Sequence, residues 1–151
     1  MPLAQLGALF QRLADFDLVA VPLQKGVDEK IIKRLKKHIR ICPYDPEKIM
    51  YEIASADMAI GMRLHFLVLA ACFQVPFIGL AYDPKVSGFC KHLQMPFASV
   101  ENAATLGKLI HHAFPKRHYY KGQLQTRLEQ EIQVAQGQVF AVQDALRHAF
   151  G

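Results

Sequence analysis

Short apolar runs alternate with stretches of helical periodicity along most of this chain, and that alternation restricts the fold more than any other feature. Leu18-Val-Ala-Val-Pro-Leu23, Ile39-Arg-Ile-Cys42, Met58-Ala-Ile-Gly61, Val75–Ala81 and Phe97–Val100 are strand-sized and almost wholly apolar. Runs without polar alternation suit strands buried on both faces. Between them, apolar residues recur three or four apart. They predict helices over Pro2–Ala14, from Asp28 to about His38, from Asp45 onward through Ile49, Met50 and Ile53, and over Leu64–Phe73, Pro84–Leu93 and Glu101–Ala113. Asp45-Pro46-Glu47 is a well-formed start, with an acceptor at the cap, proline at the first helical position and an acid in the first turn. Asp28 is expected to cap its helix in the same manner. Strand and helix in turn imply βαβ units, hence a parallel sheet of the doubly wound α/β class. Because the chain opens on a helix, a first strand is expected upstream.

The rhythm breaks at Lys116-Arg-His-Tyr-Tyr-Lys-Gly122. Beyond it Leu124, Leu128, Ile132, Val139, Val142 and Leu146 keep helical spacing with no strand following. The chain therefore divides into an α/β unit over residues 1–113 and a helical extension over 114–151. The extension reads as one helix or two, packed on the domain or on a partner. No internal repeat and no low-complexity tract is apparent.

A hydrophobic fraction of 52% with 21% charged residues is that of a soluble globular protein. The formal charge of +5 favours an anionic ligand or partner. Its distribution argues against nucleic acid. The run Lys30–Arg40 reads as the solvated side of a helix whose apolar side is Ile31, Ile32 and Leu35, and no zinc-finger, ribonucleoprotein or basic-zipper spacing occurs. Cys42, Cys72 and Cys90 are odd in number and widely spaced, which speaks against a disulfide framework and for a reducing, cytoplasmic setting. Cys72, inside Leu67–Phe73, reads as a small buried hydrophobe, and Cys90-Lys-His92 lacks the second pair a zinc site needs, so no metal is expected. The apolar stretches Phe66–Phe73 and Val75–Tyr82 are too short to span a bilayer, and Met1–Arg12 lacks the features of a signal peptide.

In a parallel sheet, ligands bind beyond the carboxyl ends of the strands. Two such ends are unusually polar. At Gly61-Met-Arg63-Leu-His65, glycine permits a turn and a close ligand approach. Arg63 and His65 fall where free helical N–H groups favour an anion and where a cation opposes the helix dipole. Either an anion neutralises them, or Arg63 pairs with Asp57 or Asp83 and His65 is a satisfied core histidine; position alone leaves both open. At Tyr82-Asp-Pro-Lys85, a lysine again follows a strand end, with Ser87 and Gly88 offering a small hydrogen-bonding surface. Three cationic candidates on successive strand ends favour a shared anion.

These residues resemble a known family. Ala56-Asp-Met-Ala-Ile-Gly61-Met-Arg63-Leu-His65, Leu69-Ala-Ala, Val75-Pro76 and Tyr82-Asp-Pro-Lys85-Val-Ser-Gly88-Phe look like the polysaccharide pyruvyl transferases of the CsaB type, as does Val21-Pro-Leu-Gln24 followed by Asp28. The resemblance covers roughly residues 18–112. It implies a Rossmann-like, GT-B-type C-terminal domain that binds phosphoenolpyruvate and moves its pyruvyl group onto a sugar of a cell-surface polysaccharide, without a further cofactor. It implies functional roles for Arg63, His65 and Lys85, with substrate contacts from Arg63 and Lys85 and proton transfer by His65; Gly61, Ser87 and Gly88 are expected to contact the substrate from their place at the two strand ends. The family carries an N-terminal domain that is expected to be missing here, so activity is expected only with such a half, and a homo-oligomer is the other partner expected.

Chemically, a planar guanidinium grips a carboxylate or phosphate at two points, an ammonium supplies a point charge, and a histidine titrates near neutral pH. Two other readings remain. One is a GT-B nucleotide-sugar glycosyltransferase domain, for which the expected ribose-binding acid and glycine-rich turn are not found in a convincing place. The other is a catalytically silent interaction fragment that uses its C-terminal helices.

Overall fold

The computed structural model describes residues 13–26, 28, 39–99 and 103–150. The helix expected over Pro2–Ala14 and that expected from Asp28 to His38 lie outside the described residues, save for residues 13, 14 and 28. In chain order the described elements are β1 (Val19–Ala20), β2 (Arg40–Ile41), α1 (Pro46–Ala54), β3 (Ala59–Gly61), α2 (Leu64–Cys72), β4 (Phe77–Ala81), α3 (Pro84–His92), β5 (Phe97–Ser99), α4 (Ala103–Ala113), a 3-10 turn (Phe114–Lys116) and α5 (Arg117–Phe150). The class is α/β, and every strand pair is parallel. The strands form two small sheets, β1-β2 and β3-β4-β5, where one larger doubly wound sheet was expected.

β4 is the centre of the larger sheet. Ile60 lies beside Ile78, and Leu80 beside Ala98. Phe77 and Ile78 are both fully buried, but they enter different clusters. Phe77 packs with Ile49 and Ile53 of α1, Leu67, Ala70 and Ala71 of α2, Val86 and Cys90 of α3, and Leu124 of α5. Ile78 packs with Leu13 and with Leu106, Ile110 and Ala113 of α4. Helices thus cover both faces of this sheet, which is why its strands carry no polar alternation.

The helix start at Asp45-Pro46 follows its sequence signal, Asp83-Pro84 repeats the pattern, and the helix that Asp28 was expected to cap lies outside the described residues. Asp45 Oδ1 accepts from the N–H groups of Glu47 and Lys48 at 3.0 and 3.1 Å, ahead of Pro46. Asp83 Oδ1 accepts from the N–H of Lys85 at 2.7 Å, ahead of Pro84.

The helix ends show a duplication that the sequence alone did not disclose. α2 stops through Phe73-Gln74-Val75-Pro76-Phe77, and α3 through Leu93-Gln94-Met95-Pro96-Phe97. Gln74 and Gln94 take left-handed backbone, with φ of 57° and 56°. The N–H of Gln74 donates to Ala71 O, and that of Val75 to Ala70 O. Gln94 and Met95 repeat this onto Lys91 O and Cys90 O. This pair of bonds closes a helix and reverses the chain in the least space. Val75 and Met95 then bury themselves, and the next residue but one begins a strand.

One expectation changes, and one is narrowed from two alternatives to one. Cys72 is exposed, because Leu67, Ala70 and Ala71 take the sheet-facing side of α2 and residue 72 lies about 100° further round. Cys42 and Cys90 are the buried thiols. Burial pushes the Cys90 thiol up to about 11. The C-terminal segment is one helix, continuous through Gly122 and Gly137. Its first turns dock on the domain through buried Leu124, through Gln125 Nε2 donating to Gln74 Oε1 at 2.9 Å, and through Glu131 facing His92 at 2.8 Å.

A left-handed glutamine is strained relative to glycine by about 1 kcal/mol. Gln94→Gly should therefore raise unfolding stability by roughly 0.5–1 kcal/mol. Gln94→Val should lower it by more than that, because a β-branched residue is worse still at positive φ. Urea unfolding of the three chains checks both directions.

Candidate functional site

Residues pairing across β3 and β4 fix where the polar segments lie. Gly61 aligns with Gly79, so β3 and β4 run side by side with their carboxyl ends on one edge of the sheet. Arg63 and His65 follow the first end at the start of α2, and Lys85 follows the second in the first turn of α3. The topology thus puts the starts of α2 and α3 on the same edge.

Arg63 is the cap residue of α2, in extended backbone, and provides no side-chain cap. Its carbonyl accepts from Phe66 and Leu67. Among the described residues the N–H groups of Leu64 and His65 have no partner, so α2 starts with donors facing outward. A carboxylate or phosphate matches such a helix start in sign and hydrogen-bonding capacity.

The Arg63 side chain does not pair with Asp57 or Asp83. Asp83 caps α3, and Asp57 faces Arg117 Nε at 3.6 Å. Instead Arg63 Nη2 donates to Asp28 Oδ1 at 2.8 Å and to Gln24 Oε1 at 3.0 Å. The other oxygen of Asp28 accepts from the N–H groups of Leu23 and Gln24 at 3.0 and 2.9 Å. One carboxylate therefore closes the loop after β1 and holds the guanidinium. Burial raises the Asp28 carboxyl, but the bonds from Arg63, Leu23 and Gln24 outweigh it and hold the group below its ordinary value of 3.8. Arg63 stays 42% exposed, and its Nε and Nη1 have no partner among the described residues. The guanidinium is anchored on one side and open on the other.

His65 is exposed and is not a core histidine. Lys85 is exposed as well. Neither side chain has a hydrogen-bond or ion-pair partner among the described residues. Ser87 is committed locally, its hydroxyl donating to Pro84 O at 3.1 Å, while Gly88 faces open space.

Gly61 has a role other than the expected turn or ligand approach. It is buried, and Gly26 is the one described glycine with positive φ. A Cβ on Gly61 would meet Cδ1 of the Phe66 ring at 2.3 Å. Glycine is needed there because the ring occupies that space. Gly79 plays the same part for Cys90, whose Sγ would lie 2.3 Å from an added Cβ.

A family model described as polysaccharide pyruvyl transferase matches residues 5–84, more than half of the chain. The chain belongs to the polysaccharide pyruvyl transferase family. No curated protein and no solved structure matches it significantly. Within the transferase match lie Gln24, Asp28, Gly61, Arg63 and His65; Lys85, Ser87 and Gly88 lie just past its end. Gln24 and Asp28 were not among the expected site residues. Their signal was present in Val21-Pro-Leu-Gln24 and the following Asp28, but nothing in that segment says that it folds onto a residue 35 positions later.

Two tests follow from this geometry. Gly61→Ala must displace the Phe66 ring and should cost about 1–3 kcal/mol of stability, read by urea unfolding, and Gly61→Ala with Phe66→Leu should recover part of that loss. The Asp28–Arg63 link should be worth its full amount above pH 3.8. A carboxyl held below its ordinary value contributes stability that is lost as pH falls through the lowered value. The stability gap between the native chain and Asp28→Asn should therefore be constant near neutral pH and close under acid conditions, as measured by denaturant unfolding across a pH series.

Proposed function

We propose that this transferase chain is a donor-binding unit of Rossmann-like, GT-B type, and that its donor is phosphoenolpyruvate. The unit comprises residues 1–113, with 114–151 as a helical extension. The observation that carries the proposal is the shared edge: a half-open arginine, an exposed histidine and an exposed lysine follow two adjacent parallel strand ends, beside an uncapped helix start.

Phosphoenolpyruvate presents a carboxylate and a phosphate on one small frame. The free side of Arg63 suits a two-pronged grip on one of them, and the Asp28–Gln24 anchor keeps that side turned outward. Lys85 supplies a flexible point charge to the other group. The free N–H groups of α2 add dipole stabilisation without introducing a titrating group. Formation of a pyruvyl ketal requires a proton on the methylene carbon while one sugar hydroxyl adds to the neighbouring carbon; a second hydroxyl then displaces phosphate. We assign the proton movement in this sequence to His65, since an imidazole both gives and takes a proton near neutral pH. The family points to a sugar polymer as acceptor, and the acceptor contacts are assigned to an N-terminal half.

Ligand-induced thermal stabilisation tests the reading, because a ligand that binds only the folded chain raises its melting temperature. Phosphoenolpyruvate should raise it more than UDP-sugars do, and equal or greater stabilisation by a UDP-sugar would overturn the assignment. Arg63→Lys should weaken donor binding about tenfold, a loss of ~1.4 kcal/mol. Lys85→Ala should weaken it by an amount that shrinks as salt rises.

A further inference from the structure

α5 is 34 residues long, and its apolar row outlasts the domain it docks on. Leu124 and Leu128 pack against the core. The row then continues through Ile132, Ala135, Val139, Val142, Leu146 and Ala149, with steps of three and four in strict turn. That 3.5-residue period is the seam a helix presents to a second helix. Ile132, Val139, Val142 and Leu146 are each more than half exposed. Ile132, Ala135, Val139 and Phe140, with Gln136 and Gln143, line a shallow groove along this stretch.

We propose that the projecting half of α5 is a homodimerisation arm that pairs antiparallel with the same stretch of a second copy. Volume favours this occupant and this direction. Antiparallel pairing about an axis near residue 140 puts Ala135 opposite Leu146 of the other copy and Val139 opposite its Val142. A small side chain meets a large one, or two of middle size meet, so the layers keep one thickness. Parallel pairing would stack Ala135 on Ala135 and leave a void between wider layers.

Charge gives the same answer. Glu129 and Glu131 outnumber Arg127 at the domain end of the arm, and Arg147 and His148 outnumber Asp144 at its tip; Glu131 also faces His92, and His148 faces Asp144. Antiparallel pairing sets the acidic end of each arm near the basic tip of the other and opposes the two helix dipoles. Parallel pairing would bring acid beside acid and base beside base. Between Ile132 and Leu146 the positions flanking the seam are Gln136, Gln138, Gln143 and Ala145, which place no like charges opposite one another in a self-paired arm.

The dimer also leaves the candidate site open. α5 docks through His92, at the end of α3, and Gln74, just past the end of α2, whereas Arg63, His65 and Lys85 sit at the starts of those helices. The arm therefore attaches on the edge opposite the proposed donor site.

Sedimentation equilibrium of the 151-residue chain tests the proposal. The expected mass at the highest soluble concentration is twice 17.0 kDa. The double variant Val139→Glu, Val142→Glu should return it to the monomer mass with unchanged thermal unfolding of the α/β part, while Gln133→Glu, on the outer face, should leave the dimer intact. Direction is read in a Cys72→Ser background, since Cys42 and Cys90 are buried. A chain carrying Ala135→Cys should cross-link on oxidation to one carrying Leu146→Cys, and not to another carrying Ala135→Cys. A monomeric native chain, a dimer that survives Val139→Glu with Val142→Glu, or self-cross-linking through Ala135→Cys would each overturn the proposal.

Discussion

The structure depends on β4 being sealed on both faces. A strand in that position has no solvent side, so Phe77 and Ile78 must each find a separate apolar cluster. Each neighbouring parallel strand must be reached by a crossover that returns to the same end of the sheet. β3 to β4 and β4 to β5 are joined by helices of nine residues, which leaves little chain for turning. The two left-handed glutamines meet that demand. They stop α2 and α3 abruptly, let Val75 and Met95 drop into the core, and hand the chain to Pro76 and Pro96, whose restricted backbone favours extension. The same geometry that closes the amino ends of the strands aligns their carboxyl ends, and the candidate site lies at that aligned edge.

At that edge the chain presents its cations without burying charge. No described polar or charged residue is buried. Arg63 is oriented by Asp28, but only through one terminal nitrogen, so the desolvation cost of a fully buried pair is avoided. Arg40 and Glu52 illustrate the alternative, a two-pronged pair that uses both ends of the guanidinium. An arginine held in that manner has little left for a ligand. The difference between the two arginines is therefore a difference in free hydrogen-bonding capacity as well as in location.

Much of this arrangement was legible in the sequence, for identifiable reasons. Asp45-Pro46 and Asp83-Pro84 start helices because capping is local, and local chemistry is written in adjacent residues. The strand and helix order was legible because burial on both faces leaves apolar runs. What escaped was everything set by packing at a distance. Nothing near Arg63 names Asp28 as its partner. Nothing near Gly61 says that a phenyl ring five residues later will occupy its missing side chain. Cys72 looked buried because its run is apolar, yet a helix on a sheet buries one side, and residue 72 is on the other. The repeated helix-to-strand joints were missed because their identity lies in backbone angles, with Gln-Val-Pro-Phe and Gln-Met-Pro-Phe as the only outward sign.

α5 brings the two edges of the sheet into one argument. Its docked half touches the remote ends of the helices whose starts carry the candidate site: Glu131 meets His92 at the end of α3, Gln125 meets Gln74 past the end of α2, and Arg117 faces Asp57 just before β3. The first two contacts are polar and largely exposed, each worth on the order of 1 kcal/mol or less, whereas the Arg117 Nε is buried 3.6 Å from Asp57 without a hydrogen bond. The attachment is therefore made by apolar burial of Leu124 and by the row to which it belongs. A row that binds by apolar burial does not stop binding where its own domain ends. Between Ile132 and Leu146 the row continues with its large side chains exposed, and water is the costliest neighbour such a surface can have. The helix is already formed and anchored at one end, so a second helix that covers the row spends little entropy on ordering this one. A rigid, pre-formed arm is for that reason a better docking element than a disordered tail of the same composition.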